Sequence, residues 1–189
     1  MSGVILAGGS SRRMGREKGL IPMDGEPLIS LVVRQLRPHV DEVLISTDEL
    51  ARYAFLKLPV VPDREPDQGP LCALASSFER AAYSRLLVVS CDVPELPPTL
   101  LEALLAATND PKTDAALIRT PDGRQPLLAC YRRSAQQAIE AALGAGKRRA
   151  DAALDALCVE EIPWVDPPWN LNTPEDLEAY LAHRLATSR

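Results

Sequence analysis

A chain of 189 residues, 46% apolar and 25% charged, has the material for a sizeable hydrophobic core in one domain. Its formal net charge of −5 argues against a non-specific nucleic-acid binder, and no apolar run approaches the about 20 residues of a membrane-spanning helix. Cys72, Cys91, Cys130 and Cys158 are scattered without a C-x-x-C pair, and His39 and His183 lie far from them in sequence, so reduced, mostly buried thiols are expected rather than a zinc site.

The first predicted strand covers residues 3–6 and runs into Ala7-Gly8-Gly9, then into a loop carrying Arg12, Arg13, Arg16 and Lys18. Adjacent glycines let backbone N–H groups approach a ligand, and clustered cations suit a polyphosphate. The spacing fits neither G-x-x-x-x-G-K-[ST] nor G-x-G-x-x-G. Apolar positions at helical spacing predict a helix over 28–36, followed by strands over 42–46 and 60–61 and a helix over 71–82. Arg-Leu-Leu-Val-Val-Ser at 85–90 reads as a central parallel strand buried on both faces, with a helix over 98–107 after it. Strands over 115–119 and 127–131 flank the turn Thr120-Pro-Asp-Gly-Arg124 and must be antiparallel. Helices over 134–143 and 149–157, a strand over 158–162 and a helix over 174–185 complete the pattern. The alternation predicts an α/β fold: a three-layer, Rossmann-like, open and mostly parallel sheet with one antiparallel hairpin and helices on both faces. Residues 1–189 are expected to form one domain, with a nucleotide half over about 1–108 and an acceptor half over about 109–189.

Ligands of such sheets bind beyond the carboxyl ends of the strands. Asp92 follows the buried strand at once and is positioned to hold a hard cation such as Mg²⁺ against phosphate oxygens. Asp63 stands just past the short strand 60–61, and Ser46 ends strand 42–46. Lys147, Arg148 and Arg149 read equally well as a solvated helix start or as a receiver for an anion. In Trp169-Asn-Leu-Asn-Thr-Pro-Glu-Asp-Leu177, Thr173 is a good N-cap, Pro174 suits the first helical position, and Glu175 and Asp176 oppose the helix dipole. Capping does not explain Asn170 and Asn172, which share one face of an extended segment and can meet the donors and acceptors of a heterocycle.

Leu-Ala-Gly-Gly-x-Ser-x-Arg-Met-Gly-x-x-Lys over 6–18, Cys-Asp-x-Pro at 91–94 and Asn-x-Asn-Thr-Pro at 170–174 together resemble the molybdenum cofactor guanylyltransferases, the MobA family of nucleotidyltransferases. With no signal-like or membrane-spanning segment a cytoplasmic location is the expectation, and the resemblance implies an enzyme that transfers GMP from GTP to the phosphate of molybdenum-molybdopterin and releases pyrophosphate. It implies catalytic roles for Arg13, Lys18 and Asp92, with Mg²⁺ on Asp92. Leu6, Ala7, Gly8, Gly9, Lys18, Ser46, Asp63 and Asp92 would bind GTP, and Asn170 and Asn172 the pterin substrate. Other cofactor-biosynthesis proteins and molybdoenzyme chaperones are the partners implied, with neither nucleic acid nor membrane. Ala73 departs from the family's frequent second glycine after Gly69-Pro-Leu, and Ser46 from its frequent asparagine. A cytidylyltransferase relative, a sugar-nucleotide pyrophosphorylase and a non-catalytic GTP-binding module are the rival readings.

Overall fold

The computed structural model describes residues 1–8, 17–65 and 68–187. In chain order the elements are β1 (Ser2–Leu6), β2 (Pro22–Met23), β3 (Glu26–Pro27), α1 (Leu28–Leu36), β4 (Glu42–Ser46), β5 (Val60–Val61), α2 (Pro70–Arg80), β6 (Arg85–Ser90) and α3 (Pro98–Ala107). There follow β7 (Ala115–Thr120), β8 (Gly123–Arg132), α4 (Gln136–Gly144), β9 (Val159–Pro163) and α5 (Pro174–Thr187). Seven strands form one sheet in the order β5-β4-β1-β6-β8-β7-β9, and β2 and β3 make a separate ribbon. Within the large sheet only β8 runs antiparallel to its neighbours β6 and β7.

Alternation along each strand splits the core into two faces. On one face Ile5, Val43, Ile45, Leu87 and Val89 meet α1, α3 and α5 through Leu28, Val32, Leu36, Leu100, Leu104 and Tyr180. On the other, Val4, Leu6, Leu44, Leu86 and Val88 meet α2 and α4 through Leu71, Leu74, Phe78 and Ile139. These are the expected three layers. Glycine at residue 3 lets α1 cross β1 closely: an added Cβ would lie 2.7 Å from Leu36 Cδ2, and that side chain would have to shift.

Two predicted elements differ in form. The segment expected as a helix over 149–157 is a 3-10 helix, Ala150–Ala156, in which Ala150 and Ala153 are both buried. Three residues per turn eclipses positions i and i+3, and two alanines tolerate that. Strand β8 reaches back to Gly123, far beyond the expected 127–131. Pairing jumps from Leu117↔Ala129 to Ile118↔Gln125, so three residues of β8 bulge out between these pairs. Pro126, which has no N–H to give a ladder, sits inside that bulge. Among the described residues no helix is long and apolar enough to cross a membrane.

Candidate active site

Parallel pairing of β1 with β4 and β6 aligns Leu6, Ser46 and Ser90 at one edge of the sheet. The ladder continues past the strand ends: Ala7 N–H donates to Ser46 O at 2.8 Å, and Cys91 N–H to Leu6 O at 3.0 Å. Asp92 is thereby fixed at the carboxyl edge, only 8% exposed. Its Oδ2 accepts from Lys18 Nζ at 2.9 Å, while its Oδ1 is buried with no hydrogen-bond partner among the described residues.

The same Lys18 ammonium donates to Asn172 Oδ1 at 2.5 Å. Three segments remote in sequence thus converge on one cation. The segment bearing the asparagines is held to Asp92 by its own backbone, since Leu171 N–H donates to Asp92 O at 2.9 Å and the Leu171 side chain is fully buried. Beyond it, Asp176 Oδ2 accepts from the N–H groups of Asn172 and Thr173, and Thr173 Oγ1 accepts from Asp176 N–H, a reciprocal cap on α5. The predicted cap and asparagine pair therefore coexist: capping fixes the backbone, and Asn170 and Asn172 face a cavity.

Two cavities meet at this edge. One, of about 580 Å³, is lined by Leu6, Gly8, Ser46, Asp48 and Asp63, with Glu17 and Arg52 at its side. The other, of about 550 Å³, is lined by Asp92, Asn170 and Asn172 together with Arg124, Gln125, Arg148 and Arg149. Gly69, Pro70, Ser90 and Leu127 belong to both. Gln125 at the edge of the β8 bulge and Pro126 and Leu127 within it line the second cavity. Gly69 has φ of +80°, and the Arg148 carbonyl stands 2.9 Å from where its Cβ would be, so the two lips touch backbone to backbone. Leu71 N–H donates to that carbonyl at 3.2 Å.

Of the residues expected to form a site, Leu6, Gly8, Ser46 and Asp63 share the first cavity, Asp92, Asn170 and Asn172 the second, and Lys18 bridges Asp92 to Asn172. The Ala7 side chain lies in the hydrophobic core, between Leu6 and Gly8 of the first cavity. Gly9 and Arg13 lie outside the described residues. The sequence reading missed Glu17 and Arg52, which form an ion pair at 2.9 Å beside Lys18, and Arg124, whose guanidinium is held by Glu161 and Asp155. Glu17 carries a signal, adjacency to Lys18; Arg52 lies in an irregular loop with none.

Burial pushes the Asp63 carboxyl up to about 6, aided by the nearby negative charge of Asp48. Its Oδ1 is also buried without a partner among the described residues. The carboxyl holds its proton to higher pH in the fold than in the unfolded chain. Its ionisation therefore destabilises the empty protein as pH climbs through the window from 3.8 to about 6, and the penalty persists above it. Asp63→Asn is expected to raise the melting temperature at pH 7.5, with the difference closing at about pH 4. An equal shift at both pH values, read by thermal melting, contradicts the assignment. Burial, and secondarily the Asp92 charge, pushes the Cys91 thiol up to about 12, so no thiolate nucleophile stands beside Asp92.

The sequence carries a match to the MobA-like NTP transferase domain over residues 3–159. A molybdenum cofactor guanylyltransferase of Serratia proteamaculans is 36% identical over 182 residues, covering 93% of this chain and 91% of that one. The molybdopterin-guanine dinucleotide biosynthesis protein A of Archaeoglobus fulgidus superposes with a TM-score of 0.81 at 24% identity, covering all of both chains. The manganese complex of Rv0371c from Mycobacterium tuberculosis superposes with a TM-score of 0.72 at 17% identity over 96% of this chain and 97% of that one, a likeness of fold. The match over residues 3–159 and the identity with the Serratia enzyme over most of both chains show that the chain belongs to the MobA-like NTP transferase family and is a nucleotidyltransferase.

Proposed function

We propose that the protein transfers GMP from GTP to the phosphate of molybdenum-molybdopterin, giving the guanine dinucleotide cofactor and pyrophosphate. The observation that carries this reading is the Lys18 ammonium held between Asp92 and Asn172 at the cationic cavity, which shares Gly69, Pro70, Ser90 and Leu127 with a nucleotide-sized one. An acceptor phosphate oxygen attacks the α-phosphorus, a new P–O–P bond forms, and the α–β bond breaks with its electron pair leaving on pyrophosphate. Such a displacement requires in-line positioning and charge neutralisation rather than a covalent enzyme intermediate.

In this reading Leu6, Gly8, Ser46 and Asp63 bind the nucleoside, with Gly9 and Arg13 assigned from the motif alone. Above pH 6 the Asp63 carboxylate is an acceptor for the N–H donors of guanine. Lys18 moves to the departing pyrophosphate. Arg124, Arg148 and Arg149 receive the acceptor phosphate, and Asn170 and Asn172 its organic part. The unsatisfied Asp92 Oδ1 fits a hard divalent cation. No cluster of three or more His, Cys, Asp or Glu among the described residues holds a metal by itself, in keeping with an ion shared with substrate phosphates. Mg²⁺ bound there supplies charge neutralisation at the phosphoryl oxygens.

Calorimetry with GTP, CTP and ATP in the presence of Mg²⁺, followed by pyrophosphate release with molybdenum-molybdopterin, tests the reading. GTP alone should bind tightly and support release; equal binding of CTP, or no release with GTP, overturns it. Asn172→Ala is expected to raise the KM for the pterin substrate about tenfold, the cost of one lost hydrogen bond to a polar partner, and to leave GTP affinity within twofold. Steady-state kinetics with each substrate varied in turn reads this split.

A further inference from the structure

We infer that the heterocyclic end of the acceptor seats in a third cavity, of about 920 Å³, stacked against Trp164 and Trp169 with Asp122 and Asp166 at its edge. This rests on the pterin-acceptor reading above. The third cavity is continuous with the cationic one, because Gln125, Pro168 and Asn170 line both. The chain has only two tryptophans, and both line it. Each is half-buried and rests on the core, leaving part of the indole open. Trp169 is braced edge-on by Tyr180, with centroids 5.7 Å apart, and by His183 at 5.5 Å. The braced Trp169 indole, together with Trp164 on the same cavity wall, offers aromatic surface to a planar ring system.

Charge then orients the acceptor. The cationic cavity carries Arg124, Arg148 and Arg149 against Asp92 and Asp151, with Arg149 paired to Asp151, whereas among the described residues the third is lined by four carboxylates and by neither Lys nor Arg. Two of the four are engaged: Glu95 accepts from Tyr180 Oη at 2.9 Å, and Asp176 caps α5. Asp122 and Asp166 form no salt bridge among the described residues and remain as acceptors. A carboxylate pairs with adjacent ring N–H and exocyclic amino donors, as on a 2-amino-4-oxopyrimidine edge, and repels phosphate. The acceptor lies along this gradient, heterocycle in the acidic aromatic cavity and phosphate among the arginines, pointing at the nucleotide.

The two indole N–H signals of the ¹⁵N-labelled full chain report on this cavity, which both tryptophans line. Titration with 6-hydroxymethylpterin, which carries no phosphate, should shift both signals saturably, whereas inorganic pyrophosphate should leave them in place. Asp122→Asn combined with Asp166→Asn should weaken the pterin about tenfold and raise the acceptor KM with kcat nearly unchanged, while GTP affinity stays as it was. Trp164→Leu should do the same provided its melting temperature confirms folding; the exposed aspartate pair tests the site without that proviso. Indole signals unmoved by pterin in a protein that makes the guanine dinucleotide overturn the cavity assignment alone. A double variant with unaltered acceptor KM does likewise. Absence of guanylyl transfer with molybdenum-molybdopterin overturns the acceptor reading, whatever the indoles do.

Discussion

Asp92→Ala is expected to reduce pyrophosphate release by about a thousandfold or more, the scale on which loss of a preorganised electrostatic group at the reacting centre acts. The position leaves little room for a substitute. Asp92 is nearly buried, the backbone of Leu171 is bonded to its carbonyl, and, like Asp63 in the neighbouring cavity, it offers a buried carboxylate oxygen with no partner among the described residues. Removing an unsatisfied buried acceptor relieves a desolvation cost of about 1–3 kcal/mol, against which stands the loss of the Lys18 pair. The melting temperature should therefore hold or rise slightly while activity collapses. A protein that loses both together marks Asp92 as a folding residue, and wild-type turnover removes it from the reaction. Asp92→Asn keeps the shape but not the charge and should be nearly as inactive.

Lys18→Ala should cost about 3 kcal/mol of transition-state stabilisation, a fall in kcat of roughly a hundredfold to two-hundredfold. Its ammonium is placed by a brief 3-10 turn, Lys18–Leu20, whose next residue, Gly19, lies so near the Tyr53 ring that a Cβ would stand 2.7 Å from its Oη. Glu17 on the other side is paired with Arg52. Lys18→Arg should rescue little, because a planar fork cannot replace a compact point charge between two oxygens. Single-turnover kinetics separate the two readings of the residue: a loss confined to acceptor affinity contradicts a role at the leaving group.

The strands that position the site were legible because their residues leave few alternatives. Leu86–Val89 within Arg85–Ser90 is a continuous apolar run and reads as central, and Glu42–Ser46 and Pro98–Ala107 begin and end where their patterns do. Asp92 followed from strand position alone, and Asn170 and Asn172 from a spacing that capping leaves unexplained. The ribbon of β2 and β3 went unread although its signal is present: Asp24 and Gly25 both have positive φ, as an Asp-Gly turn of the I′ type requires. The β8 bulge was not legible, because a register jump depends on what its partner strand offers. With it went Arg124 and the wall of the second cavity, which no periodicity encodes. Arg52 was hidden for a similar reason: its pairing with Glu17 joins two irregular segments that meet only through the fold.

The backbone seam at Gly69 constrains how such a protein can be redesigned. The rim of the first cavity and the rim of the second are one structural joint, with Leu71 N–H bonded to Arg148 O and no space for a side chain at position 69. A base-selecting loop transplanted from a relative with another nucleotide preference would arrive without its matching partner. The transferable module is the pair of segments around 68–71 and 144–149 moved together, and the graft that splits them should recover neither parent's specificity.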